Sequence, residues 1–168
     1  CHAVSTADAI PWTYVSLPQA QRACASAGKR LPTPEEWYRI ALGTRAEDCT
    51  VGVSAPEKTG TSACVSSAGA YDAVGNVWEW VDAQITNNIY EGRTLPETGY
   101  VTSVDAHGVA VTTAEVQDAL YGEDYFWSKA DGVFGVIRGG FYGSKNDAGL
   151  FALNASVPTS FATQGVGF

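Results

Sequence analysis

The run Gly75-Asn76-Val77-Trp78-Glu79-Trp80 limits the fold more than any other stretch of this chain. Successive side chains of a strand point to opposite faces, so Trp78 and Trp80 share one face while Val77 and Glu79 share the other. Two tryptophans side by side are core anchors, and a sheet that buries them must be covered on that face. The whole chain has 18 glycines with 5 Trp, 8 Tyr and 6 Phe. Many glycines with many aromatics point to short strands, tight turns and irregular loops over an aromatic core. At 168 residues the chain fits one domain, 1–168.

Two helices precede that strand. Ser16, Pro18 and Gln19 make a capping box with a first-turn proline, Ala20, Ala23, Cys24 and Ala27 follow at helical spacing, and Gly28 supplies a left-handed stop. Thr33-Pro34-Glu35-Glu36 combines an N-cap, a first-turn proline and two carboxylates at the positive end of the helix dipole. Trp37, Ile40 and Ala41 are its expected buried stripe, ending at Gly43. Residues 44–68 read as loop. Residues 83–132 are acidic and weakly patterned, with a short helix expected from Thr113 to Tyr121, and read as an insertion lying over the core. Val136-Ile137, Leu150 to Leu153 and Val166 to Phe168 read as strands, giving an α+β fold.

Charge removes whole classes of function. With 10 basic against 18 acidic residues, net −8, no Lys/Arg stripe exists to displace counterions from nucleic acid or to dock on anionic lipid. No apolar run approaches the roughly 20 residues of a membrane-spanning helix, so direct membrane insertion is not expected. Without a Cys-x-x-Cys pair, and with His2 and His107 alone to supply imidazoles, a zinc site is not expected. The four cysteines allow three pairings. Cys49–Cys64, closing a Gly/Ser/Thr-rich loop, and Cys1–Cys24, tying down the N-terminus, are the favoured set; the alternative is four free thiols in a reducing compartment.

Gly28 to Trp37, Tyr71 to Trp80, Arg138-Gly139-Gly140 and a closing Gly167-Phe168 together resemble the formylglycine-generating-enzyme type of domain, a variant of the C-type lectin fold. The resemblance covers roughly residues 15–82 and 134–168. It implies two helices and short, mostly antiparallel strands with much irregular loop. It also implies a structural calcium at the positions of Asp72 and Glu79, through carboxylates, and of Gly75 and Val77, through carbonyls. The alternative is that Glu79 accepts hydrogen bonds in a buried turn without metal. The family's enzymes hold copper with two cysteines near the C-terminus, and a soft cuprous ion requires thiolates. From Val65 to Phe168 there is no cysteine, so the oxidase chemistry is not expected, and no cofactor is required. His107 with Asp105 lacks a nucleophile elbow and reads as a lone histidine in an acidic loop.

The stretch Arg138 to Asn154 resembles the variable region of diversity-generating retroelement target proteins, which share this fold. Their frame, Arg-Gly-Gly-x-Trp-x-x-Gly-x-x-Ala-Gly-x-Phe-x-Leu-Asn, lies over it without a gap, with Tyr142 in place of the Trp and Lys145 in place of the middle Gly. Such regions arise by adenine errors in copied Asn codons. At the corresponding positions stand Phe141, Gly143, Ser144, Asp147, Ser156, Val157, Phe161, Thr163 and Gly165, all types reachable from an Asn codon in this way. Aromatics in a Gly/Ser/Thr/Asn-rich setting also give contact area at low entropic cost. Phe141 and Phe161 are expected outside, Tyr142 and Phe151 inside. The resemblance implies a non-catalytic ligand-binding protein with a diversified region over 138–168, facing an unknown protein or surface ligand from a cell surface, extracellular or virion location. A divergent enzyme or pseudo-enzyme and an undiversified adhesion module are the alternatives.

Overall fold

A computed structural model describes residues 3–168. Helix α1 spans Leu17–Ser26 and α2 spans Pro34–Ala41. Both begin as their capping residues dictate. The Gln19 side chain accepts the Ser16 N–H at 2.9 Å, the Thr33 hydroxyl accepts the Glu36 N–H at 3.2 Å, and Glu36 accepts the Thr33 N–H at 2.9 Å. A cap of this kind stabilises by about 1 kcal/mol. Gly28, at φ +70°, follows α1, and the backbone N–H groups of Gly28 and Lys29 close onto Ala25 and Cys24. Of the stripe expected on α2, Trp37 and Ala41 are buried, but Ile40 is 43% exposed. An eight-residue helix resting on β1 buries a narrow arc, and Ile40 falls outside it.

The strands are β1 Trp78–Thr86, β2 Ile89–Tyr90, β3 Arg93–Thr94, β4 Gly99–Val104, β5 Ala110–Ala114, β6 Tyr125–Trp127, β7 Val133–Arg138, β8 Leu153–Val157 and β9 Val166–Gly167. They form one sheet in the order β3-β2-β1-β7-β8-β6-β4-β5, with β9 beside β1. Pairing is antiparallel except for β1 with β9 and β6 with β8. The α+β architecture expected of the chain is therefore present, with three differences. The helix expected over Thr113 to Tyr121 is absent: residues up to Ala114 belong to β5, and only Ala119–Tyr121 make a single 3-10 turn before left-handed Gly122. The strand expected at Leu150 to Leu153 begins instead at Leu153. The 83–132 segment does not merely lie over the core; it contributes β2 to β6 and widens the sheet.

Two apolar clusters divide along the alternation of β1. Trp78 and Trp80 pack with Leu17, Ala20 and Cys24 of α1, with Ile137 and with Val157. Val81 and Ile85 pack with Trp37 and Ala41 of α2, and with Val101, Phe126 and Leu153. Trp80 is fully buried, and its indole N–H donates to the Val15 carbonyl at 2.8 Å, so its one polar atom is satisfied. Farther across the sheet, Tyr125 and Trp127 lie on the opposite side of β6 from buried Phe126, and Tyr100, paired with Tyr125, is opposite buried Val101. These three rings are only partly buried, so the sheet stays open there.

Candidate ligand-binding site

The C-terminal stretch is built on one buried cation. Arg138, 0% exposed, ends β7 opposite Glu79 of β1. Its guanidinium donates to the carbonyls of Pro34, His107, Gly108 and Leu150 at 3.0, 3.1, 2.7 and 3.2 Å, and lies 4.7 Å from the centroid of the Trp37 ring. Desolvation lowers its pKa to about 10. One side chain thus joins α2, the β4–β5 turn and Leu150 of the C-terminal stretch. Gly139 and Gly140 follow at φ +92° and +85°; a Cβ would come within 2.3 Å of the Ala73 carbonyl at the first and of the Ala148 methyl at the second. Glycine is required at both positions.

The loop that follows is tied down from behind. Tyr142 N–H donates to Asn76 O at 2.8 Å, Gly52 N–H to Ser144 O at 2.6 Å, and Val53 N–H to Tyr142 O at 2.8 Å. Residues 52 and 53 lie in the loop closed by the Cys49–Cys64 disulfide. The other favoured pairing includes Cys1, which lies outside the described residues; Cys24 is buried in α1. On the far side, buried Asp124 accepts the Phe151 N–H at 2.6 Å, and burial raises its carboxyl pKa to about 7.

Of the nine positions expected to vary, Phe141, Asp147, Ser156, Phe161 and Thr163 are partly exposed and Gly143 is exposed. Three cannot present a side chain to a ligand. Ser144 is 3% exposed, and its hydroxyl accepts the Phe141 N–H at 3.3 Å, closing the turn from inside. Val157 is 9% exposed on β8 within the Trp80 cluster. Gly165 is buried, its carbonyl accepting the Trp78 N–H at 2.8 Å. The expected contrast among the aromatics is also absent: Phe141, Tyr142, Phe151 and Phe161 are all half-buried, Phe141 and Phe161 with one side against the Trp78/Trp80 cluster.

Gly143 and Asp147 open onto a groove of about 550 Å³, lined also by Lys145, Asn146, Tyr100, Gln117, Tyr125 and Trp127. The last four come from the 83–132 segment and were not anticipated. The alternation in Tyr125-Phe126-Trp127 was the available signal, since it places two large rings opposite a core phenylalanine. None of the nine expected positions lines the other groove, of about 350 Å³, between the Trp12–Val15 segment and α1.

Of the residues expected around calcium, both carboxylates accept hydrogen bonds. Asp72 accepts from the Gly60 N–H at 2.7 Å and from the Ser62 hydroxyl at 3.0 Å. Glu79 Oε2 accepts the Trp37 indole N–H at 2.5 Å. Gly75 donates its N–H to the Gly139 carbonyl, and its neighbour Asn76 donates to Thr50. Val77 is buried. Burial, with a smaller push from Asp72, raises the Glu79 carboxyl pKa to about 7. Asp72 and Glu79 thus both serve as hydrogen-bond acceptors in this buried turn. Among the described residues no three His, Cys, Asp or Glu side chains cluster as metal ligands. His107 stands between Glu35 and Glu91, at 3.6 and 3.3 Å, with no serine or cysteine hydrogen-bonded to it.

Two helices and a curled, mostly antiparallel sheet, with the buried Arg138-Gly139-Gly140 turn, define a C-type lectin-like fold. By sequence the chain is similar to the bovine (Bos taurus) inactive C-alpha-formylglycine-generating enzyme 2, 30% identical over 62% of this chain and 44% of that one. The mouse (Mus musculus) protein of the same description is 27% identical, with 62% and 43% covered. The chain therefore spans less than half the length of the curated relatives it matches. No protein-family model matches it. By structure it is similar to the Major Tropism Determinant U1 variant, with a TM-score of 0.58, 18% identity, and 90% of this chain and 36% of that one covered. It is also similar to CarF, with a TM-score of 0.54, 17% identity and coverage of 93% and 64%. Among the described residues no helix is long and apolar enough to cross a membrane.

Proposed function

We propose that this domain is a non-catalytic recognition module whose C-terminal region, 138–168, is diversified by a retroelement on a fixed lectin-type scaffold, and that it binds a protein or surface ligand outside the cell or on a virion. The observation that carries the reading is the separation within that region. Arg138, Gly139 and Gly140 are buried, and a Cβ at either glycine would clash, whereas Phe141 is partly exposed and Gly143 and Asp147, a few residues on, open onto a groove. A rigid frame with replaceable surface residues lets one fold carry many specificities.

Two further facts support it. The structural relatives include a protein named as a tropism determinant, and the curated relatives are named inactive. The absence of cysteine after Val65 speaks against the copper chemistry of the active enzymes. Sequencing the gene from several isolates tests the reading. Substitutions should concentrate at the codons for Phe141, Gly143, Asp147, Ser156, Phe161 and Thr163, with a near-repeat of the region beside a reverse transcriptase gene. Scattered silent changes and no repeat would leave an adhesion module with a fixed partner.

A further inference from the structure

The groove beside Gly143 has one wall that diversification of 138–168 cannot change. Tyr100, Tyr125 and Trp127 form a continuous row of rings. Tyr100 meets Tyr125 at 4.8 Å and 88°, and Tyr125 meets Trp127 at 4.7 Å and 54°. Trp127 is braced from beneath by Trp78, at 5.6 Å and 83°, itself only 7% exposed. The row is therefore held rigidly although its outer side is open. We infer that Tyr100, Tyr125 and Trp127 form a constant aromatic wall which, together with the carboxylate this chain carries at Asp147, receives an arginine side chain of a protein partner.

The polar groups choose the ligand class. The face of an aromatic ring attracts a cation, most strongly for tryptophan. Beside the rings, where its carbonyl accepts the Tyr125 N–H at 3.4 Å, Asp147 also accepts the Lys145 N–H at 2.8 Å through Oδ1, and no donor within the described residues is bonded to its second oxygen. Asn146, also lining the groove, donates its side-chain amide to Glu123 Oε2 at 2.7 Å. Lys145 is the one cationic side chain in the lining, and the chain as a whole carries −8. The Asp147 carboxylate and the net charge of −8 disfavour an anionic ligand, against the single opposing charge of Lys145. Arginine suits the site better than lysine because a planar guanidinium both stacks on a ring and reaches a carboxylate through its own fork of donors. Every variant keeps the three rings, while the carboxylate at 147 tunes them for arginine in a chain that carries an acid there. The inference rests on the 141–147 face being the ligand-binding face, but not on its being diversified.

The test is a backbone and indole NMR titration of the 168-residue chain with N-acetylarginine methylamide, beside its neutral citrulline counterpart and methyl glucoside. Saturable shifts are expected at the Trp127 indole and the Gly143 and Asp147 amides with the arginine probe alone. Asp147→Asn, which keeps the side-chain shape, should weaken that binding at least about fivefold, and Tyr100→Leu similarly. Citrulline or glucoside matching arginine, or an unchanged affinity in Asp147→Asn, would overturn the inference, whatever Tyr100→Leu does to folding. An arginine-blind groove, with partner binding still abolished by substitutions at Phe141 and Phe161, sinks this inference alone. A gene invariant over 138–168 sinks the diversification and leaves the probe result standing.

Discussion

The indole N–H of Trp37 donates to the carboxylate of Glu79, joining α2 to the centre of the sheet at 2.5 Å. Burial raises the Glu79 pKa from 4.5 to about 7, against the opposing effect of that hydrogen bond. The native carboxyl holds its proton more tightly than the unfolded one, so between these values the native state binds more protons. The stability this group contributes is then fully present below pH 4.5 and is lost as pH rises to 7, by about 3 kcal/mol at most. Asp124, also raised to about 7 by burial, has the same sign. Glu36, lowered to about 2 by Arg30, acts in the opposite sense and only below pH 4.5. Urea unfolding at pH 5 and pH 8 should show a drop that shrinks in Glu79→Gln, whose amide oxygen still accepts from Trp37. Equal drops in the two proteins would show that Glu79 is ionised throughout.

The Cys49–Cys64 bond closes a loop whose residues 52 and 53 hold the backbone of Tyr142 and Ser144. Reduction should cost about 3 kcal/mol, the entropy released by opening a loop of this size. Its local effect is more specific: amide exchange at Gly52, Val53 and Tyr142 should accelerate before exchange in β1 or β7 does. Uniform acceleration would mean that the loop does not support the site separately from the fold.

Arg138 satisfies four carbonyls from three parts of the chain and stacks on Trp37. Arg138→Lys replaces a planar fork with a point charge, and Arg138→Met leaves the carbonyls bare in the core. Each should destabilise, the methionine variant by about 3 kcal/mol or more. Neither should alter the residues that face a ligand, so partner affinity, measured well below the melting temperature, should change far less than stability. Thermal unfolding beside binding by surface plasmon resonance distinguishes the two effects.

What could be read from the sequence was local. The capping residues of α1 and α2, the facing of Trp78 and Trp80, and the glycines after Arg138 act within a few residues, and each did in the fold what its chemistry requires. What could not be read depends on pairing between distant segments. Thr113 and Ala114 carry no helix because β4 offers them a ladder, and Ser144 is buried because the 49–64 loop arrives behind it. The groove itself is the clearest case. Trp127 reaches the C-terminal stretch through the parallel pairing of Phe126 with Leu153 and of Trp127 with Asn154, a register that no short-range pattern encodes. The nine positions inferred from codon logic were chosen without geometry, so buried Ser144, Val157 and Gly165 entered beside surface residues.

The ring of Phe141 fills the space that side chains at two other positions would take. A Cβ at Gly143 or at Gly165 would lie 2.8 Å from it, and neither glycine has the positive φ that would bar a substitution on backbone grounds. Size at these three positions is therefore coupled. Gly143→Ser should destabilise a chain that keeps Phe141, by about 1–3 kcal/mol for an overpacked contact. It should be nearly neutral beside Phe141→Ser, where the ring is gone. The double-mutant cycle should give a favourable coupling of about 1 kcal/mol or more, read from urea unfolding of the four proteins. If the region is diversified, natural variants should follow the same rule, with small residues at 143 and 165 accompanying an aromatic at 141. Additive effects in the cycle would mean that the Phe141 ring simply swings outward. Variation at these positions would then be free of steric constraint, and Phe141 would be a mobile contact rather than a wedge.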